Sequence, residues 1–336
     1  MEYKVFELKN SKGMKAKVTE FGAILMELFV PDRDGKVQDI VMGYEKPEDY
    51  TNNGSFFGAT VGQSANRIND AKFTIDGKEY PLAVNDGKNN LHTDVDHGFH
   101  KVHWEGTLDE ASNSVSFTYR HPDGENGFPG NLDMKVTYTL TEENGIVIHY
   151  EGVSDKKTLI NCTNHSYFNL SGDLASSIHD HELKLYASHY TPVVAGAIPT
   201  GEIADVKGTI FDFTDFMKIG DHIDDDVEQL KLVQGYDHNF ALDHKTGSYD
   251  LAAEVKCQRS GRRMKVYTDL PGLQFYAGNC IAPVTGKGGV KYDKRQALCL
   301  ESQYFPDSVN QPNFESPIFD AGQKYDTTTE YRFDTF

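Results

Sequence analysis

The run Leu298-Cys299-Leu300-Glu301-Ser302-Gln303 places a carboxylate inside an apolar stretch. Read as a strand, it puts Ala297, Cys299 and Glu301 on one face and Leu298 and Leu300 on the other. Such a carboxylate is costly to bury without partners, and it stands where its pKa can be tuned. Comparable density of hydrogen-bonding and titrating groups occurs in Val61-Gly62-Gln63-Ser64-Ala65-Asn66-Arg67-Ile68, in Asn89-Asn90-Leu91-His92 and in Thr163-Asn164-His165-Ser166-Tyr167-Phe168-Asn169-Leu170. It recurs in Gly235-Tyr236-Asp237-His238-Asn239-Phe240 and in Pro271-Gly272-Leu273-Gln274-Phe275-Tyr276. Together these segments hold the carboxylates Asp237 and Glu301, the imidazoles His92 and His165, the amides Asn66 and Gln274, and the guanidinium of Arg67. A carboxylate plus an imidazole is the minimum set for moving two protons. Many donors and acceptors beside aromatic rings suit a neutral polyhydroxylated ligand, whose hydroxyls need hydrogen bonds and whose apolar faces stack.

Each residue also has a plainer reading. A histidine among strands more often serves structure than catalysis. Asp237 could form an Asx-turn before His238, Gln274 could satisfy backbone groups, and Arg67 could make a surface ion pair of little worth. His97, His100 and His103 are spaced like metal ligands. That spacing needs a helix, which Gly98 and Lys101 disfavour, so no metal site is expected there. Neither GxGxxG nor GxxxxGK[ST] occurs, nor HExxH, nor GxSxG. The cysteines at 162, 257, 280 and 299 form no CxxC pair and are expected to be free thiols.

The elements that must position these groups read as strands. Val115, Phe117 and Tyr119 alternate with polar residues, as do Leu132, Met134, Val136, Tyr138 and Leu140, and then Ile146, Ile148 and Tyr150. Asn144-Gly145, Asp76-Gly77 and Asp34-Gly35 supply hairpin turns between such runs. Helix is expected only as a turn or two between Phe213 and Leu232, with Asp224-Asp225-Asp226 near its start. The chain has 336 residues, 38% hydrophobic and 25% charged, which excludes global disorder. The pattern runs on without a linker or repeat, so one large all-β unit of stacked antiparallel sheets is expected over residues 1–336. A net charge of −18 argues against nucleic acid or an anionic membrane as partner. The start, MEYKVFELKN, is charged and lacks the apolar region of a secretory signal. The richest apolar stretch, Ala23 to Val30, is short and carries Glu27. A cytoplasmic protein is the expectation.

The ordered set VGQSANRI, NNLH, GFHKVHW, TNHSYFNL, GYDHNF, PGLQFYAGN, LCLESQ and QPNF resembles the aldose 1-epimerase (galactose mutarotase) family over essentially the whole chain. The resemblance implies a large antiparallel β-sandwich, the galactose mutarotase-like supersandwich, with the site in a cleft on one sheet face. It implies Glu301 as catalytic base, His165 as catalytic acid and His92 as a second imidazole near the reacting centre. It implies Asn66, Arg67, Asp237 and Gln274 as substrate-binding residues, with Tyr167 lining the pocket. The chain departs from the family's usual pattern at Gln63, often Arg, and at Thr93-Asp94, often Gly-Gly. Asp94 is expected to act on His92, raising its pKa or altering which sugars fit.

The implied activity is α/β interconversion of free aldohexoses such as galactose and glucose, with no cofactor because no electrons or groups leave the substrate. Glu301 and His165 are expected to flank one bound pyranose from opposite edges, held in opposite protonation states, with Glu301 the carboxylate. The expected partner is a small free aldose, and the protein a monomer or homodimer. Rival readings are a glycoside hydrolase using Asp237 and Glu301, a non-catalytic sugar-binding protein, and a hexose-6-phosphate epimerase on the same fold. The last would need clustered Arg or Lys, and among these motifs only Arg67 is present.

Overall fold

A computed structural model describes residues 3–336; Met1 and Glu2, where the charged start begins, lie outside the described residues. The alternating runs form strands. Leu132–Leu140 buries every second side chain and exposes or half-exposes those between, as period two requires. Its hairpin to Gly145–Ser154 turns at Asn144, with φ 64°, a left-handed position that asparagine tolerates. The Asp76-Gly77 turn likewise joins Lys72–Ile75 to Lys78–Pro81, with φ 50° and 80° at its two residues.

These hairpins extend into a nine-stranded antiparallel sheet. Its order is Glu105–Asp109, Ser114–His121, Leu132–Leu140, Gly145–Ser154, Lys324–Thr335, Arg262–Thr268, Asp250–Cys257, His181–Leu185 and Met217–Lys218. A five-stranded sheet runs Ala204–Asp205, His189–Tyr190, Asp237–Ala241, Gly272–Tyr276 and Cys299–Gln303. The first sheet's Phe117, Val136, Tyr138 and Tyr331 share one core with the second sheet's Phe240, Leu273, Phe275 and Leu300. Polar ties cross that core: the Tyr331 hydroxyl donates to the Leu300 carbonyl at 2.8 Å, and Ser302 bonds Thr329. The result is the expected antiparallel β-sandwich.

A four-stranded sheet (Val5–Lys9, Lys15–Thr19, Ile24–Pro31, Val37–Asp39) takes up the apolar Ala23–Val30 stretch. The α-helix is Glu228–Val233, after a single 3₁₀ turn at Ile219–Asp221. It begins beyond Val227 rather than at the Asp224–Asp226 triplet. No helix among the described residues is long and apolar enough to cross a membrane.

Candidate active site

Three neighbouring strands of the five-stranded sheet form the floor of a cavity of about 170 Å³. Their register puts Asn239 opposite Gln274, and Gln274 opposite Glu301. Period two then sorts the side chains. Leu273, Phe275, Leu298 and Leu300 enter the core between the sheets, while Tyr276, Ala297 and Cys299 belong to a separate cluster on the other side. The face sharing expected for Ala297, Cys299 and Glu301 is therefore present. Gly272 makes room on the same face: a Cβ there would lie 2.5 Å from Asn239 Oδ1 and 2.8 Å from the Phe305 ring.

The cavity wall comes from distant segments. Thr163–His165 pairs with Ala59–Val61 and sets His165 opposite Ala59. Arg67 pairs with Leu91, which brings the ANRI and NNLH segments together. Asn66 and His92 then lock each other. The Asn66 amide N–H donates to His92 Nδ1 at 3.1 Å, and the His92 amide N–H donates to the Asn66 carbonyl at 3.0 Å. Both residues have left-handed backbones, φ 57° and 54°, a strain the reciprocal bonds hold in place.

All eight residues singled out in the sequence line this cavity: Asn66, Arg67, His92, His165, Tyr167, Asp237, Gln274 and Glu301. Phe56, Tyr276 and Cys280 line it as well and were missed. Tyr276 follows Gln274 at the period-two position, so alternation could have found it. Phe56 and Cys280 lie outside strands, where no periodicity points to a face. Also missed was Gln303, fully buried and two residues beyond Glu301 on the same strand.

His165 Nε2 lies 3.7 Å from Glu301 Oε1, and both side chains are buried. That distance leaves no room for a ring between them, so the expectation of opposite edges is corrected. The two groups converge on one edge of the cavity. The His165 ring is stacked between Tyr167, at 5.0 Å, and Phe56, at 5.9 Å. Its Nδ1 sits 3.5 Å from Cys299 Sγ.

Burial in this pocket disfavours charge on either partner. It lifts Glu301 well above the usual carboxylate range, with the Asp237 charge adding to the effect and Arg67 opposing it. It lowers His165 to about 3. Burial thus favours a protonated Glu301 and a neutral His165, against the expectation of a charged carboxylate. A neutral pair needs less solvation than an ion pair, which is the physical reason.

His92 is also held well below 6.5, first by burial and then by the neighbouring His165 and Arg67. Because its Nδ1 accepts from Asn66, the neutral ring carries its proton on Nε2. The donor atoms of His92, His165 and Glu301 lie within 4.8 Å of one another, a spacing that could hold a metal. His92 Nε2, however, offers a proton there rather than a lone pair. Asp94, expected to act on His92, faces elsewhere: its carboxylate accepts from the Asp96 and His97 amides and contacts the His97 ring. Thr93 has φ 73°, costly for a β-branched residue, and its hydroxyl bridges the Ser64 amide and carbonyl at 2.8 and 3.1 Å. Gln63 is buried and donates to Thr158 and the Leu159 carbonyl. His97, His100 and His103 reach three separate partners: Asp94, the Val95 carbonyl and Glu20.

On the other side of the cavity, Gln274 Nε2 donates to Asp237 Oδ1 at 2.7 Å. Arg67 Nη1 lies 3.8 Å from Asp237 Oδ2, and Arg67 Nε donates to Asp86 at 2.7 Å. The site's guanidinium is therefore already engaged by two carboxylates. Donors, acceptors and aromatic faces line a space of monosaccharide size, with the His165–Glu301 pair at one edge.

A family model described as aldose 1-epimerase matches residues 4–332 of this chain. A galactose mutarotase from Bos taurus is 42% identical over 331 residues, covering 98% of this chain and 93% of the relative. An aldose 1-epimerase from Escherichia coli K12 is 38% identical over 333 residues, covering 98% and 95%. The crystal structure of an aldose epimerase homologue from C. elegans aligns with a TM-score of 0.88 at 29% identity, covering 99% of each chain.

Proposed function

The chain belongs to the aldose 1-epimerase family, isomerases that interconvert the α and β anomers of free aldoses, and on that premise we propose that Glu301 and His165 carry its two proton transfers. The observation that carries this reading is the 3.7 Å approach of His165 Nε2 to Glu301 Oε1 at the edge of a monosaccharide-sized cavity. With Glu301 as carboxylate and His165 as imidazolium, Glu301 takes the O1 proton while His165 gives one to O5. The C1–O5 bond breaks and an open-chain aldehyde forms. Rotation about C1–C2 presents the other face of the carbonyl. O5 then returns its proton to His165 as it attacks C1, and Glu301 reprotonates O1.

Burial favours a protonated Glu301 and a neutral His165, which are the states left once the ring is open. Hydrogen bonds from a bound pyranose therefore have to help form the charged pair from which ring opening starts. Positioned acids and bases each contribute on the order of 10²–10⁴-fold.

His92 acts as an Nε2–H donor to a sugar oxygen near the anomeric centre. Asn66, Arg67, Asp237 and Gln274 bind the remaining hydroxyls, and Tyr167 lines the pocket. We take galactose and glucose as the substrates and residues 1–336 as one functional unit, since the pocket draws on segments from Gly54 to Glu301. The hydrolase reading is disfavoured because Asp237 is tied to Gln274 and Arg67. A 6-phosphate is disfavoured because Arg67 already faces Asp86 and Asp237. Polarimetry on freshly dissolved α-galactose and α-glucose, and on their 6-phosphates, tests the assignment. Fast mutarotation of the free sugars is expected. Sugar-induced stabilisation without faster mutarotation would leave only a binding protein.

A further inference from the structure

Gln303 touches no cavity surface, yet it stands at the centre of the hydrogen bonds behind it. Its Oε1 accepts from Asn66 Nδ2 at 3.2 Å. Its Nε2 donates to Gln274 Oε1 at 3.0 Å and to Asn239 Oδ1 at 3.1 Å. Beyond these partners, Gln274 Nε2 donates to Asp237 Oδ1, and Asn66 Oδ1 accepts the Arg67 amide N–H at 2.8 Å. An amide can be turned end for end at little steric cost, which exchanges its donor and acceptor. Here both ends of the chain have a set polarity. A backbone N–H can only donate, and the Asp237 carboxylate beside Arg67 accepts. Every amide between them must then point one way, and the middle position needs one acceptor and two donor bonds on a single planar group. Glutamine meets that need; glutamate lacks the donors, and methionine lacks both.

We propose that Gln303 is a positioning residue for the sugar. It holds Gln274 with its nitrogen toward Asp237, and Asn66 with its oxygen toward the Arg67 amide. The cavity thereby presents a fixed pattern of donors and acceptors to the substrate hydroxyls. Because the Asn66 backbone bonds both the His92 ring and the His92 amide, the same residue links the walls that carry Gln274 and His92. Without it, Gln274 is free to turn, and the buried oxygens of Gln274 and Asn239 lose their donor. The proposal rests on the assignment of Asn66, Asp237 and Gln274 as sugar-binding residues.

The test is mutarotation kinetics on galactose and glucose with wild type, Gln303→Met, Gln303→Glu, Gln274→Met and the Gln303→Met/Gln274→Met double variant. A wild type that does not speed mutarotation would refute the functional reading itself, whatever Gln303 does. With an active wild type, Gln303→Met is expected to raise KM about tenfold with kcat changed by less than about threefold, the signature of lost binding rather than lost chemistry. Gln303→Glu, which keeps the shape and the acceptor for Asn66, is expected to raise KM as much, because the missing donors are what matters. The double variant is expected to bind about as poorly as Gln274→Met alone, since coupled partners are not additive. Unchanged KM in both single variants, a loss confined to kcat, or simple additivity would overturn the proposal. So would failure of both Gln303 variants to fold, which would make the residue a structural support.

Discussion

Two strands, Leu132–Leu140 in the nine-stranded sheet and Cys299–Gln303 in the five-stranded sheet, obey the same alternation with different results. In the first, Leu132, Met134, Val136 and Tyr138 face the core, and Asp133 and Lys135 face solvent. In the second every residue is buried. Leu300 faces the same core, but Glu301 faces the polar cavity and Gln303 the amides behind it. Water solvates the polar face of the first strand, so its composition is loosely constrained. Protein groups must solvate the polar face of the second, so each donor and acceptor there needs a named partner. The difference teaches that burial alone does not separate core from site in this fold. What separates them is whether the buried groups are met by apolar side chains or by hydrogen-bonding partners.

The comparison can be broken most forcefully with acid. Burial lowers His165 and His238 to about 3, His100, His121 and His181 to about 4, and His92 well below its ordinary 6.5. The unfolded chain therefore binds more protons than the folded one below pH 6.5, and stability is lost as pH falls from there toward about 4. Glu301 acts in the opposite sense: its raised pKa makes the folded state less stable as pH rises above 4.5. Asp237, Asp269 and Asp307 are raised by burial in the same sense, but the six histidines outnumber these four carboxyls, so net acid destabilisation is expected. Chemical denaturation from pH 7 to 4 should show it, with uptake of more than one proton on unfolding. A flat profile would mean the pocket and core are wetter than the burial implies.

Next come the two groups proposed to carry protons. Glu301→Gln and His165→Asn should each slow mutarotation by on the order of 10²–10⁴-fold while leaving the thermal midpoint near wild type. The double variant should be little worse than the poorer single one, because the two groups act as a unit. Near wild-type polarimetric rates for either variant would remove that residue from its role.

Leu300→Ala probes the other face of the same strand. Removing a fully buried leucine should lower stability by about 2–5 kcal/mol in urea denaturation, with kcat of the folded enzyme little changed. A large fall in kcat instead would show that the two faces are not separable.

The smallest effect belongs to the outer surface of the large sheet. Arg120 and Asp133 form an ion pair at 3.1 Å, with both side chains more than half exposed. Arg120→Ala should change stability by less than about 1 kcal/mol and leave mutarotation unaffected.

The hairpins at Asp76-Gly77 and Asn144-Gly145 were legible because turn chemistry and period two are local properties. So was the face carrying Cys299 and Glu301, which needs only alternation along one strand. The donor set at the eight site positions was legible from composition together with the ordered motifs. Gln303 was not, because its role lies in bonds to Asn66, 237 positions away, and to Asn239 and Gln274 on neighbouring strands. Nor could alternation point to Phe56 or Cys280, which reach the cavity from outside the strands.

By itself the sequence determined which segments become strands, where they turn, and which side chains are available to bind a polyhydroxylated ligand and move protons. Those outcomes follow from backbone geometry and side-chain chemistry acting over a few residues. The tertiary structure alone decided that His165 and Glu301 meet at 3.7 Å, that His92 presents an N–H, and that burial holds the Glu301 carboxyl above its ordinary pKa. Those outcomes depend on how completely remote segments exclude water from one another, and desolvation is a property of the closed fold rather than of any stretch of chain.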